Sequence, residues 1–290
     1  MGVTEDIPLW LQWTLPWSGF WRGTWKRRDA CGGWTFKWEV FAIGYIFIGL
    51  PYMITNNVAY LYMEPFSQTF PETHWDREIP VIPWMMIPYC GLYVFYPLVA
   101  FLAPCTEKGR LELLIVMQML LTATLICCTI FMIFPTEVAL RDEIDWSVMD
   151  PISKAFFKFV HNGDKPFNAF PSLHVIHSYV VVRTITQWCR TDYAEKAWVK
   201  PTLVALWVEW VLLVISTMTT KQHYIFDAAT GLILGLSLWR WWDWSFRRIE
   251  SKGADAILDY LRWDPLQKRS IEVMRLTEWK NEHADDHIDV

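Results

Sequence analysis

Six separate stretches of this chain are apolar over about the length that one helix needs to cross a bilayer: Trp38 to Tyr60, Ile79 to Ala103, Leu111 to Phe134, Ser172 to Cys189, Thr202 to Thr217 and His223 to Trp242. Roughly 17 to 25 consecutive apolar residues span the hydrocarbon layer as a helix, and a soluble core rarely needs such stretches repeatedly. The fifth is the shortest, and Glu209 interrupts it. The expected fold class is therefore all-α: a polytopic membrane helical bundle of about six transmembrane helices. The 20 tryptophans of the 290 residues fit this reading, because Trp collects at the headgroup layer.

Lys and Arg set the orientation. The N-terminal segment carries Arg22, Lys26, Arg27, Arg28 and Lys37. Alternating spans bring it to the same side as Lys108 and Arg110, as Arg190, Lys196 and Lys200, and as Arg247 and Arg248. The first opposite loop holds Glu64, Glu72, Asp76 and Glu78 against Arg77. Both termini are expected in the cytoplasm. Three regions follow: residues 1–37 as a Trp-rich interfacial segment, 38–247 as the membrane domain and 248–290 as a polar cytoplasmic tail. In the first, Trp13, Trp17, Trp21 and Trp25 recur every fourth residue, which puts them on one helical face. That segment reads either as an amphipathic helix on an anionic leaflet or as a Trp-rich loop broken by Pro16 and Gly23.

The net charge of −5 gives no basic face for a nucleic acid, and none is expected as a partner. The six cysteines show neither C-x-x-C spacing nor a Cys/His cluster, so neither a disulfide framework nor a metal site is expected. The acidic start, Met1 to Asp6, does not resemble a cleaved secretory signal, and the first span is expected to direct insertion.

Chemistry concentrates in two segments. Asp164-Lys165-Pro166-Phe167-Asn168-Ala169-Phe170-Pro171-Ser172-Leu173-His174 leads into the fourth span. Pro171 suits a helix start, and the free N–H groups after it form an anion site aided by the helix dipole. Ser216 to Asp227 joins the fifth and sixth spans. On a helix, His223 and Asp227 would share one face, so that the carboxylate fixes the imidazole tautomer while the other nitrogen attacks. One complete crossing out and back separates His174 from His223, which places both on the same noncytoplasmic face. The long connection between Pro135 and Phe170 lies there too, with a short amphipathic helix expected around Ile152 to Val160. His177, one turn after His174, reads as a packed span residue or a second proton partner. Arg183 is expected to reach toward the cytoplasmic side.

Together, Pro171-Ser172-x-His174 and Ser216-(six residues)-His223-(three residues)-Asp227 resemble the second and third signatures of the phosphatidic acid phosphatase type 2 superfamily. The variants Pro-Ser-Leu-His and Lys-Gln-His-Tyr-x-x-Asp are most similar to the branch with inositol phosphorylceramide synthases and, further off, sphingomyelin synthases. The resemblance implies His223 as nucleophile, Asp227 as its orienting partner and His174 as general acid, passing through a phosphohistidine with no metal or organic cofactor. It implies a phospholipid or sphingolipid substrate taken from the bilayer. A lipid phosphate or polyprenyl diphosphate phosphatase is the alternative, and a catalytically silent membrane scaffold or transporter the third reading.

Two departures stand out. Thr217 occupies the position of the arginine that normally follows the serine, and the family's first signature survives only as Lys158 to Lys165-Pro166. Lys165 and Lys221 are the expected substitutes for the lost charge, with Asn168 and Ser172 as further phosphate-binding donors.

Overall fold

The computed structural model describes residues 7–63 and 71–261; the end of the polar tail expected over 248–290 lies outside the described residues. The chain forms α1 (Leu9–Gln12), α2 (Ser18–Lys26), α3 (Trp34–Val58), α4 (His74–Glu78), α5 (Met86–Tyr89), α6 (Gly91–Leu102), α7 (Glu107–Ile133), α8 (Pro151–Gly163), α9 (Leu173–Thr191), α10 (Val199–Thr219), α11 (Ile225–Lys252) and α12 (Ala254–Leu261). No strand occurs among the described residues; Thr136 and Asn168 form one isolated bridge. The all-α membrane bundle is as expected.

All six apolar stretches become helices. Among the described residues, four helical segments are long and apolar enough to cross a membrane: Ala30–Tyr62, Pro83–Leu102, Glu107–Ile133 and Val199–Thr219. α9 and α11 are long enough but more polar. For α9 the reason is position: it packs against α6, α7, α10 and α11, so His177, Ser178, Thr184 and Thr186 are all buried among neighbours. A helix shielded in this way does not need apolar residues around its circumference. The outer helices show the converse pattern. Ile46, Phe47, Leu50 and Ile54 of α3 and Val204, Val208 and Val211 of α10 are exposed apolar side chains on the outside of the bundle, a face that only a lipid environment accommodates without penalty.

Sequence punctuation shapes the ends. The second stretch opens with a 3₁₀ turn and then breaks between α5 and α6, in a segment carrying Pro83, Pro88 and Gly91. Thr106 caps α7 by accepting from Gly109 N at 3.1 Å, and Asp150 caps α8 by accepting from Ile152 N and Ser153 N, with Pro151 at the first helical position. α8 is the amphipathic helix expected in the long connection.

The N-terminal tryptophans divide by role. Trp21 and Trp25 are fully buried while Trp10 and Trp13 are exposed. Gln118 of α7 decides the division. Its Oε1 accepts from Trp17 N at 2.7 Å and from Trp21 Nε1 at 2.8 Å, and its Nε2 donates to Leu15 O at 2.9 Å. The segment thus holds two short helices tied into the bundle, with Pro16 in the break between them.

The joint that positions the later site lies between α9 and α11. Ser172 N donates to Asp227 O at 3.0 Å, and a Cβ on Gly231 would sit 2.7 Å from Ser172 O. Because the obstacle is backbone, it cannot swing aside. Gly231→Val should therefore separate the two helices and destabilise the protein by about 1–3 kcal/mol through overpacking, seen as a lowered melting temperature of the detergent-purified chain; an unchanged melting temperature would show that the joint tolerates the added volume.

Candidate active site

The two motif segments meet at this joint. His223 precedes the N-cap residue Tyr224 and so lies outside α11, not on a shared helical face with Asp227. Asp227 instead reaches back from the first turn: its Oδ2 accepts from Tyr224 N at 2.9 Å and lies 3.6 Å from His223 Nδ1. The closer partner of that nitrogen is the Ala169 carbonyl, at 3.0 Å. A carbonyl only accepts, so Nδ1 carries a proton, and in the neutral ring Nε2 then keeps its lone pair. That Nε2 faces His174 Nδ1 at 3.4 Å. His174 stands in the first turn of α9 with its ring against Tyr89, centroids 4.5 Å apart. The two imidazoles are only 8% (His174) and 4% (His223) exposed.

The remaining predicted residues are distributed around this pair. Ser172 caps α9 without a side-chain hydrogen bond, and its buried Oγ has no partner in the structure. Asn168 is committed to α3, its Nδ2 donating to Tyr52 O and Thr55 Oγ1, each at 3.1 Å. Lys165 exchanges backbone hydrogen bonds with the Asn56 amide, both at 2.9 Å, and its ammonium lies 5.4 Å from the Tyr60 ring centroid. Lys221 is fully buried and its ammonium is held by Glu143 at 2.7 Å and by the Asp76 carbonyl at 2.8 Å. It also adopts φ +58°, the left-handed turn that ends α10. Its charge supports that turn and is already neutralised, which argues against the phosphate-binding role expected of it.

An arginine not singled out from the sequence lies nearby. Arg141, in the short 3₁₀ segment Ala139–Glu143, donates through Nη1 to Asp164 O at 2.8 Å, and its Nη2 lies 4.0 Å from Asp164 Oδ2. Its Nε is buried without a hydrogen-bond partner. The guanidinium lies within electrostatic reach of His161, Asp164 and His174. The signal available was that Arg141 is the only arginine between Pro135 and Phe170. Tyr224 fixes this loop over the site, its hydroxyl donating to Glu137 O at 3.0 Å and accepting from Ala139 N at 3.1 Å.

A cavity of about 590 Å³ opens beside the pair, with His174 and Asp164 in its wall and Tyr45, Tyr93, Met117 and Phe159 among its lining. It passes between α3, α6 and α7, and its walls are overwhelmingly apolar. His177, by contrast, is enclosed: Tyr96 Oη at 2.7 Å and Leu120 O at 3.1 Å hold its two nitrogens. Among the described residues, no group of three or more His, Cys, Asp or Glu side chains is arranged to hold a metal ion.

Compared with known proteins, the family model of the PAP2 superfamily matches residues 70–241, more than half of the chain and both motif segments. The chain belongs to the PAP2 superfamily. No curated protein and no solved structure matches it. Membership carries a lipid phosphatase or phosphotransferase class of activity. In this PAP2 superfamily member the arginine absent at Thr217 leaves a backbone role behind, since Thr217 O accepts from Gln222 N at 3.0 Å and from His223 N at 2.9 Å.

Two ionisable groups of the loop respond oppositely to burial. The Asp164 carboxyl is pushed up by burial, opposed by Arg141, by the Tyr52 hydroxyl at 2.8 Å and by His223. Burial lowers His161 to about 4, with Arg141 acting in the same direction, and Gln222 Nε2 donates to its Nε2 at 3.0 Å. Between about 6.5, the ordinary histidine value, and about 4, the unfolded chain binds a proton that folded His161 refuses. Stability from this group is thus present above about 6.5 and lost as pH falls toward 4. The melting temperature should drop across this window, and less steeply in His161→Gln; equal slopes would remove His161 as the cause.

Proposed function

We propose that the chain transfers a phosphorylated headgroup between lipids through a phosphohistidine on His223, in the manner of inositol phosphorylceramide synthases. The observation that carries this reading is the His223 Nε2 lone pair, fixed by the Ala169 carbonyl on Nδ1, facing His174 at the wall of an apolar cavity. In the first step Nε2 attacks phosphorus, the bond from phosphorus to the leaving oxygen breaks, and protonated His174 gives that oxygen its proton. The positive charge that develops on the His223 ring is met by the Asp227 carboxylate and the Ala169 carbonyl. In the second step neutral His174 takes the proton of an acceptor hydroxyl, which attacks phosphorus and releases His223. The phosphate oxygens are met by Arg141 and by the first turn of α9, beside the unpartnered Ser172 hydroxyl. Lys165 and Asn168 support the loop that carries these groups.

Burial of both rings favours an alcohol over water in the second step, because a site closed to bulk solvent and open to an apolar cavity receives its acceptor from the bilayer. The charge pattern of the loops supports a cytoplasmic location for both termini, with the histidine pair on the opposite face.

Purified protein offered phosphatidylinositol plus ceramide should give a ceramide-dependent phospholipid product. Release of free phosphate from phosphatidic acid, with no alcohol-dependent product, would assign the second step to water instead. His223→Ala should lower turnover by at least about a thousandfold, and full activity in that variant would refute the phosphohistidine. Arg141→Ala should reduce kcat by about 10²–10³ and Arg141→Lys by less, as expected for a donor to developing phosphate charge; an unchanged rate in Arg141→Ala would remove Arg141 from the reaction.

A further inference from the structure

α9 and α11 also line a second, half-open cavity, of about 480 Å³, toward their far ends. Arg183 lies nine residues after His174, which is about 14 Å along the helix. Arg240 and Arg247 lie deeper still along α11, past its midpoint. This cavity is therefore separate from the histidine pair and faces the other end of the bundle.

Its walls combine three arginines with one carboxylate. Asp243 is clamped by Arg247 through both Nε, at 2.6 Å, and Nη2. The Arg183 and Arg240 charges are left uncompensated within the lining. Arg183 stacks over Trp239, its guanidinium carbon 5.0 Å from the ring centroid, and its Nε is buried without a hydrogen-bond partner. A buried guanidinium nitrogen lacking an acceptor is costly, and phosphate oxygens match the planar fork of arginine better than any neutral group does. The rim is equally informative. Leu236 lines the cavity and is 41% exposed, and Ile233, one turn earlier on α11, is 63% exposed. A phosphate seated among the arginines would thus have an apolar track running away from it along α11. Trp239 and Tyr179 complete a wall of the kind found at headgroup depth, and basic pockets between membrane helices bind anionic headgroups.

We propose that this cavity binds the phosphate of an anionic phospholipid, as a site distinct from the histidine pair. The ligand chemistry is a phosphate ester bound by Arg183 and Arg240, and the acyl chain follows Leu236 and Ile233.

The test uses the full chain in detergent, incubated with dioleoyl phosphatidic acid or with inorganic phosphate, and counts retained ligand by native mass spectrometry. His223→Ala serves as the background, so that turnover at the histidine pair does not consume the lipid. Expected is a retained phosphatidic acid whose affinity falls at least tenfold in Arg183→Gln/Arg240→Gln, and by less in Arg183→Lys. The lipid-free melting temperature of the double variant should stay unchanged, which separates loss of binding from loss of fold. Equal retention in the double variant would overturn the proposal. Full displacement of the lipid by equimolar inorganic phosphate would overturn its lipid component, because the acyl track would then contribute nothing. Since the double variant leaves His174, His223 and Asp227 intact, its transferase activity on the wild-type His223 background reports on the phosphohistidine reading independently.

Discussion

The hydrogen bond from Ser172 N to Asp227 O is where the site is made. It joins the first turns of two helices that are distant in sequence, and Gly231 permits the approach by having no side chain to strike Ser172 O. His174 and His223 project from the two sides of that joint, so the 3.4 Å between their nitrogens follows from backbone geometry. Side-chain interactions then refine what the backbone has placed. The Ala169 carbonyl selects the His223 tautomer, and Asp227 occupies itself first with the start of its own helix.

Much of this was legible in the sequence because both signals are local. Apolar length reveals helices, and the motif spacing reveals the histidine pair together with Asp227. What escaped was tertiary. The i, i+4 spacing of His223 and Asp227 suggested a shared helical face, yet Tyr224 caps the helix and leaves His223 before it. The two residues meet because the carboxylate folds back toward the chain entering the helix. The pairing of charges is similarly tertiary. Lys221 stands near His223 in sequence and reads as a phosphate ligand, but no sequence rule shows that Glu143 and Asp76 would claim it. Arg141 lies far from either motif, and only the folding of the long loop, pinned through Tyr224, brings it toward His174.

Polar groups inside the bundle are placed by tertiary contacts in the same way. Gln118 satisfies three groups of the N-terminal segment, and Glu112 accepts from Trp188 Nε1 at 2.7 Å. Each would be unfavourable alone in an apolar interior, and each is placed where it meets donors or acceptors that would otherwise be stranded. The polar character of α9 has the same origin: being surrounded by helices, it can carry both His174 and an internal hydrogen-bond network.

Asp76 gives the arrangement a remote anchor. Its Oδ1 accepts from Ile225 N at 2.7 Å, its Oδ2 from Thr73 N at 2.7 Å, and its carbonyl from Lys221 Nζ. The local bond with Thr73 fixes the carboxylate of α4, and its other oxygen and its carbonyl serve the chain leading from α10 into α11. Without the start of α11 and the turn before it there would be no partner for Ser172 N, no donor to Asp76 Oδ1 and no second imidazole opposite His174. The turn that carries His223 is thus held from two sides, by Ser172 through Asp227 and by a carboxylate 149 residues before Ile225, so that its place is set by contacts remote in sequence.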